Sequence, residues 1–448
     1  MEWNIKMERL LHYVWQHRQY PFGSLKTIAG EPIEVIDPGL HNENAGPDFF
    51  DAKIKVGGVC WVGNVEIHSV SSDWYHHHHE TDAAYNNVIL HVVEKEDGPV
   101  VTSSGRMVPQ VVVEVPEYIR EHYDELLRAE KYPPCYSNVM NLPFAVVRCW
   151  LNKLADERLK TKTQRINELA KTLGGDWEDV LFITLGRSFG FGINGDAFEE
   201  WASKIPLMAA GKHRDDLFQL EALFLGQAGL LEDDMLPLAH REEALYEGYF
   251  QKIQREYRFL AHKFTLQPMN GLHWRFLRLR PQNFPHIRLV QLANLFFLRR
   301  FSLSSLIEAG TLPEVRNLLQ TKVTPYWQTH YSFGAQSTES GKTLRQNSLD
   351  SLIINTVVPI LYAYGHHSLH EDYCKRALDF LSQMKLEENH ITRVWKDLGL
   401  TVRSAADSQA LIELRNRYCD RKDCLRCSFG CEYLKQTKIY STLQEPEQ

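Results

Sequence analysis

The chain has 448 residues, 44% of them hydrophobic and 24% charged, with a formal charge of −7. This ordinary composition belongs to globular rather than disordered or fibrous chains, and the length predicts more than one domain. The negative balance excludes a uniformly basic nucleic-acid coat protein but not a local basic face, because net charge averages over faces.

In chain order, "MEWNIKMERLLHYVWQ" reads as an amphipathic helix with charges inside it, unlike a secretory leader. "GEPIEVIDPG" predicts a strand region, residues 50–56 and 60–69 an antiparallel hairpin, and "HHHHETDAAYNN" a short helix. "VILHVVEK" and "MVPQVVVEV" predict buried strands. A charged helix then closes at Pro133–Pro134, a boundary signal. From about 140 to 400 the apolar period is helical almost throughout, without a fixed repeat, and the tail after 432 is polar. The expected fold class is therefore α+β. A mixed sheet flanked by helices occupies 1–135, a mostly α-helical domain 136–400, and a short Cys-rich segment 401–448. The most apolar run, "IINTVVPILYAY", is 12 residues long and holds Asn355 and Pro359. No membrane span is expected, and a cytoplasmic location is the simplest expectation.

The stretch "NAGPDFFDAKIKVGGVCWVGNVEIH" carries the chemistry. Gly57-Gly58 signals a hairpin turn, and strand alternation puts Asn64, Glu66 and His68 on one face. A two-residue loop sets Phe49 opposite Glu66 and Asp51 opposite Asn64, whereas a three-residue loop sets Asp48 opposite Glu66. The three-residue loop is the expectation here. Opposed carboxylates repel, and a hard divalent cation such as Mg²⁺ or Mn²⁺ is the natural neutraliser.

Pro47-Asp48, a hairpin, then Glu66-Ile67-His68 resembles the active-site signature of the PD-(D/E)XK nuclease superfamily, as does the order of elements that follows. The chain also resembles an uncharacterised bacterial family of unknown function, whose members share the "GPDF…DA…VEIH…SDW" block and a cysteine-rich end. The first resemblance implies a restriction-endonuclease-like core, metal ligation by Asp48 and Glu66, and metal-dependent hydrolysis of nucleic-acid phosphodiesters. Asp51 and His68 join the candidate catalytic set. His68 stands where that superfamily carries lysine, so Lys53 or Lys55 is an alternative, and Glu8 matches a first-helix acid by order alone. Two other readings are an inactive nuclease-fold scaffold that binds nucleic acid or protein, and a different hydrolase using His68, His79 and Asp82.

Three further clusters stand out. His76–His79 and His91 lie near the hairpin in sequence, suited to metal binding or proton transfer, or else to a solvated helix start and one satisfied core histidine. Arg275, Arg278, Arg280 and Arg288 fall in an acid-free stretch with Trp274, Phe276 and Phe284, which suits a phosphate backbone with stacked bases, or internal ion pairs. Cys419, Cys424, Cys427 and Cys431 suit zinc or an iron–sulfur cluster, or else a single apolar helix stripe weakened by Gly430. Nucleic acid is the expected partner.

Overall fold

The computed structural model describes residues 2–20, 23, 25–42 and 44–436. Residues 437–448 of the polar tail lie outside the described residues. The chain groups into two compact units whose bounds run differently from those drawn on sequence. One takes the chain up to Trp150, Val394–Leu400 and the chain from Leu414; the other takes Leu151–Arg393 and Thr401–Glu413. Among the described residues no helix is long and apolar enough to cross a membrane.

The first unit is built on a mixed sheet. Helix α1 (Glu2–Gln16) buries Met7, Leu10, Leu11, Val14 and Trp15, a stripe at three- and four-residue spacing. The strands are β1 (Ile33–Asp37), β2 (Leu40–His41), β3 (Phe49–Val56), β4 (Val59–Val70), β5 (Val88–Lys95) and β6 (Gln110–Val112). They lie in the order β1-β3-β4-β5-β6, with β2 also on β3. β3 and β4 are antiparallel, while β4, β5 and β6 run parallel. The crossover from β4 to β5 contains α2 (Asp73–His76) and a tight turn over Ala83–Asn87. Central parallel strands are covered on both faces, and Val65–Ser69 is accordingly a continuous buried run. Helix α1 packs on β4, and α3 (Glu117–Arg128) follows the last strand.

The hairpin corrects one expectation and reaches its consequence by another route. Gly57 (φ +56°) and Gly58 (φ +89°) form a two-residue turn with Val56 opposite Val59, not the expected three-residue loop. Two consecutive left-handed glycines are what the two-residue turn requires. Further along, Ala52 pairs with Gly63 but Phe49 pairs with Val65, so β3 sets two residues, Phe50 and Asp51, against one of β4, Asn64. The extra residue is a bulge, with Asp51 at φ +54°. That one-residue shift sets Asp48 against Glu66. Gly63 marks where β5 joins: a Cβ there would lie 2.5 Å from Ile89 Cγ2 and 2.7 Å from the Asn87 carbonyl.

The second unit is helical apart from a small antiparallel pair, His330–Ser332 with Ala335–Gln336. It includes the part of α4 (Phe144–Thr172) beyond Trp150, α5 (Trp177–Phe189) and α6 (Gly195–Lys204). Asp176 caps α5 by accepting from the amides of Glu178 (3.0 Å) and Asp179 (3.2 Å). Phe189, Phe198, Trp201, Phe224, Phe250 and Trp327 fill its core.

Candidate metal centre

The start of β3 and the middle of β4 are latched through their carboxylates. Glu66 Oε2 accepts from the Asp48 amide (3.1 Å), and Asp48 Oδ2 accepts from the Ile67 amide (2.9 Å). Each carboxylate therefore spends one oxygen on the backbone. The other Glu66 oxygen, Oε1, lies 3.1 Å from His79 Nε2 and 3.5 Å from His68 Nε2. Helix α1 brings His12 Nε2 to 3.3 Å from Asp48 Oδ2. Burial pushes the Glu66 carboxyl well above the usual range, and the Asp48 charge pushes it further. Glu8, one helical turn before His12, is raised to about 7, first by burial, with His12 opposing and Asp48 adding. The first-helix acid thus shares the electrostatics of Asp48 and Glu66.

Three imidazoles meet this carboxylate edge. Ligand atoms of His68, His77 and His79 all lie within 4.8 Å of one another. His68 comes from β4, and His77 and His79 from the turn after α2; of the run only His79 is buried, and His77, though exposed, still turns Nδ1 to within 3.1 Å of His68 Nε2. His78 takes φ +63° and reverses the chain between them. Burial lowers His68 well below the ordinary imidazole value, with His91, His79 and His77 adding to it, and holds His79 at about 4. Both rings are neutral near pH 7, the form that binds metal. His79 Nε2 is buried and makes no hydrogen bond, its neighbour Glu66 Oε1 lying 3.1 Å away but out of line, so this orphaned nitrogen and that oxygen could both be satisfied by a cation.

A polar chain behind the site fixes which nitrogen of His68 is bare. Gln110 Nε2 donates to the Gly98 carbonyl (2.9 Å), which turns Gln110 Oε1 toward His91 Nδ1 (3.2 Å). His91 Nδ1–H therefore donates, leaving His91 Nε2 to accept from His68 Nδ1 at 2.8 Å. His68 Nε2 is then the lone pair, directed to His77 Nδ1 (3.1 Å) and the Glu66 edge. Backing a ligand histidine with such an acceptor is how proteins set its tautomer. His91, expected to take part in metal binding or proton transfer or to be a satisfied core histidine, here backs His68; Gln110 carries no sequence signal, and parallel pairing of β5 with β6 is what joins them.

Other candidates separate from this centre. Asp51 is exposed at the bulge and shapes the register. Asp82 accepts from the Ala84 amide (2.8 Å) and caps the turn over Ala83–Asn87. Lys55 is ion-paired outward to Glu34 (3.8 Å), and Lys53 is exposed. In the helical unit Arg275, Arg278 and Arg280 are exposed, but Arg288 is buried, donating to Gln291 Oε1 (2.8 Å) and Asn283 Oδ1 (2.7 Å). Trp274 is a core residue, its indole nitrogen donating to the Ala228 carbonyl (2.7 Å), so it does not stack bases.

The cysteines do not form one helix stripe. Cys419 ends a wide helical turn over Leu414–Cys419, Cys424 opens a tight turn, Cys427 caps the next helix, and Cys431 lies within it. Gly430 permits the fold-back, since a Cβ there would lie 2.2 Å from the Cys424 carbonyl. Cys135, far upstream in the chain, belongs with them: its thiol is raised by burial and then by Cys427 and Cys424. Burial pushes Cys427 up to about 11, against hydrogen bonds from the Gly430 and Phe429 amides and the Trp150 side chain.

A family model described as "Protein of unknown function (DUF2851)" matches residues 8–390, so the chain belongs to that family. No curated protein and no solved structure matches it.

Proposed function

We propose that the N-terminal unit is a metal-dependent phosphodiesterase of nucleic acid, with Asp48, Glu66, His68, His77 and His79 as its centre. The observation that carries the reading is the convergence of the Glu66 Oε1 edge with the nitrogens of His68, His77 and His79, one of them orphaned. The order helix, antiparallel hairpin, helix, parallel strand, with acids on α1, before β3 and on β4, supports kinship with the PD-(D/E)XK core. Three imidazoles beside one carboxylate suit a borderline ion such as zinc or manganese better than magnesium, which prefers all-oxygen shells. Such an ion supplies Lewis-acid polarisation and lowers the pKa of water. The chain's own contribution is to hold His68 Nε2 bare through His91 and Gln110, to aim Glu66 Oε1, to bring His12 against Asp48, and to place near Asp48 a Glu8 carboxyl raised to about 7, which can hold or release a proton. His68 in the lysine position of the resembled signature favours a second reading, a scaffold that binds metal and nucleic acid without turnover.

The test is the intact chain with Mn²⁺, Zn²⁺ or Mg²⁺ on single- and double-stranded DNA and RNA. Cleavage that needs Mn²⁺ or Zn²⁺ and falls at least about 10²-fold in Glu66→Gln is the expected result. Metal binding without cleavage of any substrate moves the protein to the scaffold reading, and neither binding nor cleavage removes both. We propose in addition that Cys135 joins Cys419, Cys424, Cys427 and Cys431 in a thiolate-held metal centre, zinc or iron–sulfur. Elemental analysis distinguishes the two metals, and an absence of both metals contradicts the centre.

A further inference from the structure

The helical unit contains a cavity of about 520 Å³ that no reading of the N-terminal unit uses. Its walls are chemically divided. Arg158, Lys162 and Arg165 stand at i, i+4 and i+7 on α4, one helical face, and Arg187 reaches in from α5. The lining also includes the apolar Ile166, Leu169, Ile183, Phe191 and Pro359 and the hydroxyls of Thr184 and Ser188. We infer that this cavity is a binding site for a nucleoside phosphate.

The cavity wall itself carries four basic side chains and one carboxylate, Glu199. Glu199 is shared between Arg165 and Arg187, Asp196 pairs with Arg187 at 2.6 Å, and Glu413 lies 3.6 Å from Arg158. Lys162 is held by neutral oxygens: Gln409 Oε1 at 2.8 Å, Asn355 Oδ1 at 2.9 Å and the Ile354 carbonyl at 3.4 Å. Three arginines thus contact three carboxylates, one of which, Asp196, is almost fully in solvent, while burial and the neighbouring Arg158 draw the Lys162 ammonium down to about 7. A bound phosphate would bring the complementary charge to a face already assembled.

The apolar half argues for more than a bare anion. A cavity of this size matches a ligand with a ring system, and an apolar wall with a few placed polar groups is the usual form of such a site. Phe191 occupies the wall at φ +43°, a conformation that costs a bulky residue energy. The loop that holds it closes tightly on itself, since a Cβ on Gly190 would lie 2.4 Å from the Gly195 nitrogen. The Arg288 guanidinium packs over the ring at 4.2 Å. Asn194, in the same loop, exchanges hydrogen bonds with the Arg275 backbone (2.8 and 2.9 Å), which brings the exposed arginine segment beside this wall. Asn355 belongs to a π-helical turn over Ile353–Val357. Turns of that kind recur at ligand sites.

A free nucleotide and the terminal nucleotide of a strand share this chemistry. Calorimetric titration of the intact chain, in chelator so that no strand is cut, uses AMP, GMP, ATP, inorganic pyrophosphate and a short 5′-phosphorylated single strand. Saturable binding of the nucleoside phosphates, tighter than pyrophosphate, and weakened at least about tenfold by Arg165→Gln and by Lys162→Met, is the expected result. Equal affinity for mononucleotide and strand assigns the site to free nucleotides, and binding of the strand alone assigns it to a strand end. Arg165 is half in solvent, so its variant decides if Lys162→Met fails to fold. Binding of none of the five probes, or binding that neither variant weakens, overturns the inference.

Discussion

The imidazole–carboxylate centre and the cysteine group both gather metal donors in the N-terminal unit, but they are organised in opposite ways. In the first, donors come from a strand and a connecting turn, one oxygen of each carboxylate is held by a backbone amide, and the His91–Gln110 chain orients His68. In the second, five thiols are gathered by burial and a tight fold-back at Gly430, with directed hydrogen bonds converging on Cys427. The difference teaches that directed polar contacts prepare chemistry, whereas burial of mutually raised thiols prepares a structural link. Breaking a donor in the first group should cost activity with little stability, and breaking the second should cost stability first.

The largest expected effect is on turnover. Glu66→Gln keeps the acceptor for the Asp48 amide but removes the charge at the Oε1 edge, and should lower cleavage at least about 10²-fold with the thermal midpoint nearly unchanged. Steady-state cleavage beside calorimetry checks both halves. Next in size, Gly430→Ala forces a Cβ to 2.2 Å from the Cys424 carbonyl and should cost about 3 kcal/mol in denaturant unfolding. If that variant keeps its stability and its metal, the fold-back does not organise the cysteines.

Gln110→Leu should act more mildly. It removes the acceptor that fixes His91 and hence the bare nitrogen of His68, so metal affinity should fall roughly tenfold while the ligand set remains intact. Titration with Mn²⁺ or Zn²⁺ measures it, and an unchanged affinity makes the chain behind His68 a packing feature only. The smallest expected effect is at the bulge. Asp51→Val puts a β-branched residue at φ +54° and should cost about 1–2 kcal/mol, with a parallel loss of metal affinity as the Asp48 register loosens.

How much of this was legible in the sequence follows from the same contrast. Hairpin, buried parallel strands and helical remainder are periodic signals, and the mixed α+β architecture follows them. Glycine pairs announce a turn, so Gly57-Gly58 was readable, but its loop length was misjudged because the register shift sits at Asp51 instead. A bulge leaves no mark except broken alternation, here Phe49 and Ala52 both inward. His77 and His79 were visible as neighbours in sequence, while the link from His91 to Gln110 depends on which strands lie side by side. Cys135 was invisible for the same reason, and Arg288 looked available because side-chain burial is not written in local composition.

The most direct measurement is the anomalous difference map of crystals grown with Mn²⁺. A single peak about 2.1 Å from His68 Nε2 and bonded to His77, His79 and Glu66 Oε1 is the expected result. A map with no peak among these residues, or with the ion on Asp48 and solvent while His68 Nε2 remains hydrogen-bonded to His77 Nδ1, contradicts the centre.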